Sequence, residues 1–234
     1  MNIKNSKIIV TGGSSGIGKA IALQLAAQGA KVVITGRDPE KLKQVASEIG
    51  AIPLAFDISD LNLIAAKAKE ALQLLDGTVD VLVNNAGIGT FKPLGAISPE
   101  DFNSVFNTNV FGLALFTQEL LPTFKKQQSG TIINMASTAS IKGFANGTVY
   151  AASKFALRGM TQSWQAELRR DNIRVCLINP SEVTTAFASP ERKEREELDK
   201  KLGSDDIAHA VTSVIEMRDK AFVPELTVWA TNTF

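Results

Sequence analysis

Short runs of aliphatic and β-branched residues alternate along the chain with longer amphipathic stretches. Strand-like runs fall near 6–11, 31–35, 52–56, 80–84, 130–135, 173–178 and 226–229. Between them, near 16–28, 39–48, 60–75, 99–125, 150–170 and 204–217, apolar residues recur at three- and four-residue spacing, the helical period. Parallel strands need a crossover, usually a helix, so this alternation predicts βαβ units and a parallel sheet. Val81-Leu82-Val83 and Ile132-Ile133 are apolar without a break. A sheet face open to water would impose alternation, so helices are expected on both faces. The predicted fold class is α/β, a doubly wound parallel sheet of seven strands with six helices, in a single domain over 1–234.

Two stretches depart from this plain pattern. The helix over 99–125 carries Phe102, Val105, Phe106, Val110, Phe111, Leu113, Leu115, Phe116, Leu120, Leu121 and Phe124, more apolar positions than one sheet-facing stripe needs. It reads as a subunit face of a homodimer or homotetramer, or as a helix wedged deeply between its neighbours. The run Glu191-Arg192-Lys193-Glu194-Arg195-Glu196-Glu197 is charged with mixed sign. It reads as a solvated helix face, and also as part of a short substrate lid near 186–203, because it follows the sixth strand, whose carboxyl end should border a ligand crevice.

Composition narrows the partner class. With 25 basic and 24 acidic residues the net charge is +1, which leaves no electrostatic footprint for nucleic acid or an anionic membrane. No apolar run reaches the roughly 18 residues of a membrane-spanning helix. The lone Cys176 rules out an intrachain disulfide framework, and the chain enters a strand within six residues, with no signal peptide before it. A soluble protein of the reducing cytoplasm, acting on a small molecule, is expected.

The first strand runs into Thr11-Gly12-Gly13-Ser14-Ser15-Gly16-Ile17-Gly18, and a helix pattern follows at once. Glycines are needed where a backbone turns tightly, approaches a pyrophosphate and packs helix against strand, and the helix N-terminus presents free N–H groups to an anion. Its place between first strand and first helix marks the loop as a dinucleotide site of Rossmann type. The spacing Gly-x-x-x-Gly-x-Gly, preceded by Thr, resembles the short-chain dehydrogenase/reductase family.

Further segments extend the resemblance. Asp57-Ile58, ending the third strand, resembles the pair that contacts adenine. Asn84-Asn85-Ala86-Gly87 resembles the motif after the fourth strand, where Asn ties strands together and Ala86 and Gly87 let a cofactor lie close. The second strand ends Thr35-Gly36-Arg37-Asp38. Gly36 stands where NAD-preferring relatives carry Asp, and Arg37 can hold a 2′-phosphate bidentately. NADP(H) is therefore the expected cofactor. Two alternatives stay open: Arg37 closing a surface turn with Asp38, and Asp38 serving NAD(H).

Tyr150 and Lys154 in Tyr150-Ala151-Ala152-Ser153-Lys154 share one helix face. A phenol with ordinary pKa of about 10 needs a neighbouring ammonium to lower it before it can exchange protons near neutrality. Tyr150 is thus the candidate acid/base and Lys154 its tuner. The resemblance implies that Lys154 also reaches the nicotinamide ribose. Ser137, thirteen residues before Tyr150, would hold the substrate oxygen; Ser140 is the alternative. Asn109 matches the family's helix asparagine, which holds a water in a proton relay from Lys154. Asn179-Pro180-Ser181-Glu182-Val183-Thr184-Thr185 resembles the nicotinamide-side segment Pro-Gly-x-Val-x-Thr, through Pro180, Val183 and Thr185. Ser181 replaces its Gly, so a different local turn is expected.

The resemblance implies reduction of a carbonyl, a ketone or a 3-oxoacyl group, to a secondary alcohol by hydride transfer. Both 3-oxoacyl-carrier-protein reductases and carbonyl reductases share this outline. The segment Pro224-Glu225-Leu226-Thr227-Val228-Trp229 does not resemble the Val-x-Gly-Gly end of the former. The competing class is a non-catalytic NADP(H)-sensing or scaffold protein on the same fold. Cys176 reads as strand core, His209 as a surface or packing residue, and Trp164 and Trp229 as packing residues, with the pocket or a subunit contact the alternative for Trp229.

Overall fold

The computed structural model describes residues 1–185, 187 and 200–231. Strands β1 (Lys7–Val10), β2 (Lys31–Gly36), β3 (Ile52–Ala55), β4 (Val81–Asn84), β5 (Gly130–Met135), β6 (Ile173–Pro180) and β7 (Glu225–Val228) form one sheet in the order β3-β2-β1-β4-β5-β6-β7. Every neighbouring pair is parallel. The helices are α1 (Gly16–Ala27), α2 (Pro39–Ile49), α3 (Ile64–Leu74), α4 (Pro99–Phe106), α5 (Leu113–Gln127), α6 (Thr148–Leu168) and α7 (Ser204–Glu216). Their ends follow from local chemistry. Asp38 accepts the Lys41 N–H to start α2, with Pro39 in its first turn, and Gly50 at φ +72 stops it. Ser98 and Asp101 form a reciprocal capping box on α4.

Two cores sandwich the sheet. On one face Ile8, Val10, Val32, Ile34, Val81 and Val83 meet Ile21 and Leu25 of α1, Leu42 of α2, and Ile207 and Val211 of α7. On the other, Ile9, Val33, Leu82 and Ile132 meet Ala68 and Ala71 of α3 and Phe116, Leu120 and Phe124 of α5. Neighbouring strand residues thus point to opposite cores, which is why the central strands read as unbroken apolar runs. Strand order reverses between β1 and β4, opening a crevice at their carboxyl ends. Among the described residues no helix is long and apolar enough to cross a membrane.

The helix expected over 99–125 is instead α4, a π-helical segment (Asn107–Gly112) and α5. A side chain at Gly112 would run into the Ile58 carbonyl, so the backbone comes against the third strand's loop only because glycine stands there. Most of the apolar excess is used inward: Val105, Val110, Leu113, Phe116, Leu120 and Phe124 are buried. Phe102 and Phe111 remain exposed, with Phe106 between them in a row of tilted rings 6.1 and 6.3 Å apart.

Candidate functional site

At the crevice the turn after β1 is sewn to the turn after β4. The Thr11 hydroxyl accepts the N–H groups of Asn85 and Ala86, each at 3.0 Å. The Asn85 amide donates to the carbonyls of Thr11 and Gly12 at 3.0 and 3.2 Å. Gly12 takes φ +68, and a Cβ there would stand 2.9 Å from Ala86 Cα, so two backbones touch where the loop crosses. Gly16 takes φ +51 at the start of α1. Ser15, the N-cap, is extended and makes no side-chain cap, and the first turn carries no acid. The N–H groups of Gly16, Ile17 and Gly18 thus begin a helix whose positive end is not neutralised by its own sequence. Ile17 packs on the first core, and Gly18 sits against the Gly12 carbonyl.

Ser14 lies beside the end of β2, where a Cβ on Gly36 would come 3.2 Å from its hydroxyl. Asp38 is committed to capping α2 and is not the partner of Arg37. Arg37 instead reaches across to Asp57 at a loose 3.9 Å, with its side chain 57% exposed. The other Asp57 oxygen accepts the Ser59 N–H and hydroxyl at 2.9 and 2.7 Å, fixing that turn. The Ile58 side chain is buried in the second core. Asn84 is likewise internal: its amide donates to Thr117 and Asn134 at 2.9 Å each, tying β4 to α5 and β5. Ala86 and Gly87, half-buried, form the crevice wall.

The catalytic candidates meet at the end of β5. Lys154 is buried and its ammonium donates to the Met135 carbonyl at 2.8 Å, 5.7 Å from the centre of the Tyr150 ring. Ser137 lies close enough to Tyr150 to favour its phenolate, while its Oγ accepts the Ala139 N–H at 3.1 Å, starting a short 3-10 turn. Ser140, the alternative, is fully buried and donates to Asn179 Oδ1 at 2.7 Å. From there a polar chain continues through Asn179 Nδ2 to Glu225 at 2.9 Å and to Arg158 at 2.9 Å, which anchors the turn to β7 and α6. Ser137 and Ser140 therefore divide the roles, one at Tyr150 and one in the scaffold. A Cβ on Gly87 would lie 3.4 Å from Asn109 Oδ1 and 3.7 Å from Lys154 Nζ, so the three positions converge. Asn109 clamps the peptide of Ile88, accepting its N–H and donating to its carbonyl at 2.9 Å, and gives its second amide hydrogen to Ser153 at 3.0 Å. Its side chain is a strap on the loop after β4, set in the π-helical segment.

Burial pushes the Tyr150 phenol up to about 12, partly offset by its bond to Ser137. The sequence predicts a phenol lowered by Lys154. Instead Lys154 directs its charge at the Met135 carbonyl, and Phe91 and Phe187 pack on the Tyr150 ring, so loss of water dominates. Lys154 itself is lowered to about 8 by burial. Cys176 is buried and its thiol raised to about 12, the inert strand residue expected.

Pro180 ends β6 and Ser181 donates its N–H to Val228 at 2.9 Å. Ser181 is not among the residues with positive φ, so this turn does not require the glycine it replaces. Val183 bridges Leu202, and Thr185 comes over the start of α1, its Cγ2 3.4 Å from where a Gly16 Cβ would be. Of the lid expected over 186–203, only 187 and 200–203 are described; the charge run 191–197 lies outside the described residues. Asn85 is one of the paired asparagines expected to tie strands together; its partner Thr11 is the tie that sequence reasoning passed over, the Thr before the glycines being the available signal.

Residues 6–196 match the family described as short chain dehydrogenase. An uncharacterized oxidoreductase of Staphylococcus aureus is 33% identical over 232 residues, spanning 97% of this chain and 99% of its own. A metagenomic short-chain oxidoreductase solved in complex with NADP is 35% identical, covers 100% of both chains and superposes with a TM-score of 0.86. An alcohol dehydrogenase from the archaeon Thermococcus sibiricus, complexed with 5-hydroxy-NADP, is 27% identical over 97% of each chain with a TM-score of 0.89. This chain belongs to the short-chain dehydrogenase/reductase family and is an oxidoreductase of that family.

Proposed function

We propose that the protein reduces a carbonyl, a ketone or 3-oxoacyl group, to a secondary alcohol, using NADP(H) in preference to NAD(H). The residues at the crevice fit such a dinucleotide: glycines 12 and 16 at positive φ, an unneutralised helix start, and a backbone wall at Ala86 and Gly87. In this reading Gly12, Ser14, Ser15, Gly16, Ile17 and Gly18 hold the pyrophosphate. Arg37 and Ser14 hold the 2′-phosphate, the Asp57-Ile58 strand end borders adenine, and Ala86 and Gly87 form the wall, which Asn84 fixes from the interior through Thr117 and Asn134. Tyr150, Lys154, Pro180, Val183 and Thr185 surround the nicotinamide end. When bound, the cofactor supplies the hydride.

The observation that carries the reading is the meeting of Ser137, Tyr150 and Lys154 opposite Gly87. With the phenol raised and Lys154 near 8, at neutral pH Tyr150 holds its proton and Lys154 is mostly charged. Tyr150 is then in the donor state that reduction requires, and Ser137 steadies the substrate oxygen. As Tyr150 gives up its proton, the ammonium beneath its ring stabilises the phenolate. Asn109 holds the loop after β4 in register with Lys154, and a proton relay to Lys154 would start there.

A homo-oligomer, dimer or tetramer, is proposed on the exposed ring row of Phe102 and Phe111; light scattering on the purified protein reads its mass. The deciding experiment is oxidation of NADPH and NADH against ketones, diketones, quinones and a 3-oxoacyl thioester. Consumption of NADPH faster than NADH supports the reading. Tight NADPH binding with no turnover across the panel would favour the sensor, and faster NADH use would reverse the roles given to Gly36 and Arg37.

A further inference from the structure

We propose that the rim over Tyr150 is an aromatic slot selecting substrates that carry a flat aryl group beside the reacting carbonyl; this rests on the carbonyl-reductase reading above. Tyr150 is the only tyrosine, and two phenylalanine rings pack against its ring. Phe91 lies 5.5 Å away edge-on at 61°, and Phe187 lies 5.6 Å away at 56°. Phe144 extends the row 6.0 Å beyond Phe91. These rings come from three separate segments: the loop after β4, the turn before α6 and the stretch after β6.

Their neighbours are shaped to admit them. A Cβ on Gly89 would stand 2.7 Å from the Phe91 ring and 3.1 Å from that of Phe187. One on Gly147 would stand 2.6 Å from the Phe144 ring. The Lys92 N–H donates to the Asn146 carbonyl at 3.0 Å, joining the loops that carry Phe91 and Phe144, and Asn109 pins Ile88 just before them. Nevertheless Phe91 and Phe144 are 43% and 50% exposed, as are Leu94 and Ile141, each three residues away in the chain. Large rings held in water around a nearly buried acid mark a surface awaiting an apolar partner.

A substrate that brings its oxygen to Tyr150 on the side of Phe91 and Phe187 meets these rings. An aryl group exchanges ring–ring contact for ring–ring contact at the 4.5–7 Å spacing such pairs prefer. A saturated group of equal size fills the same volume without the edge-to-face attraction.

The test compares kcat/KM with NADPH for 1-phenyl-1,2-propanedione and its saturated counterpart 1-cyclohexyl-1,2-propanedione, on wild type and Phe91→Leu. Wild type is expected to favour the phenyl ketone about five- to ten-fold, and Phe91→Leu to cut that ratio about three-fold or more. A wild-type ratio of one or below, or a ratio unmoved by the substitution, overturns the slot and leaves carbonyl reduction standing. If neither diketone turns over, the reduction reading fails for this class and calorimetry decides the slot. In NADPH-loaded Tyr150→Phe, tighter phenyl-ketone binding that Phe91→Leu weakens supports it, and equal binding of the two ketones overturns it.

Discussion

Lys154→Met in the cofactor-free protein tests whether the ammonium is desolvated as its surroundings imply. Burial lowers Lys154 from 10.5 to about 8. At about 1.36 kcal/mol per unit, holding the charged form folded costs about 3 kcal/mol at neutral pH. Between pH 8 and 10.5 the unfolded chain binds more protons at this residue than the folded one does, so this cost is released as pH rises. Wild type should therefore gain between about 2 and 3 kcal/mol on Lys154→Met from pH 7 to pH 10. That is roughly 5–10 °C in melting temperature for a domain of this size. The variant leaves the Met135 carbonyl without its donor, a cost of about 1–3 kcal/mol that does not vary with pH. Urea melts of both proteins at pH 7, 8.5 and 10 give the difference directly. A difference that stays flat across this range would refute a dry, depressed ammonium.

Arg37→Ala should lower kcat/KM for NADPH by about ten- to a hundred-fold while sparing NADH, the loss of one charged hydrogen bond, read in paired kinetics. Gly12→Ala forces a side chain into φ +68 against Ala86 and should cost at least about 1–2 kcal/mol in urea melts as well as weakening NADPH binding. Asn179→Ala interrupts the chain from Ser140 to Glu225 and should cost about 1–3 kcal/mol and lower kcat more than it raises KM.

Strand and helix periods, the glycine loop and Tyr150-Lys154 were legible in the sequence because each depends on local spacing. The break in the long helix was not, because it arises where Gly112 meets the Ile58 carbonyl and Asn109 meets Ile88, both distant in the chain. Asn84 carried a motif match but faces inward to Thr117 and Asn134, a distinction that only strand pairing reveals. Asn179 holds Ser140, and Phe91 and Phe187 cover the Tyr150 ring, partners that no periodicity brings together. Ser181 shows the converse: a departure from the family pattern that the backbone accommodates without positive φ.

In the proposed reduction Tyr150 delivers the proton. Single-turnover NADPH oxidation on the best carbonyl substrate, comparing wild type with Tyr150→Phe, which keeps the ring contacts and removes the hydroxyl, decides it. Loss of about a hundred-fold or more in rate, with NADPH affinity changed only slightly, is the predicted result. Retention of the wild-type rate by the phenylalanine variant would mean that the proton comes from another group.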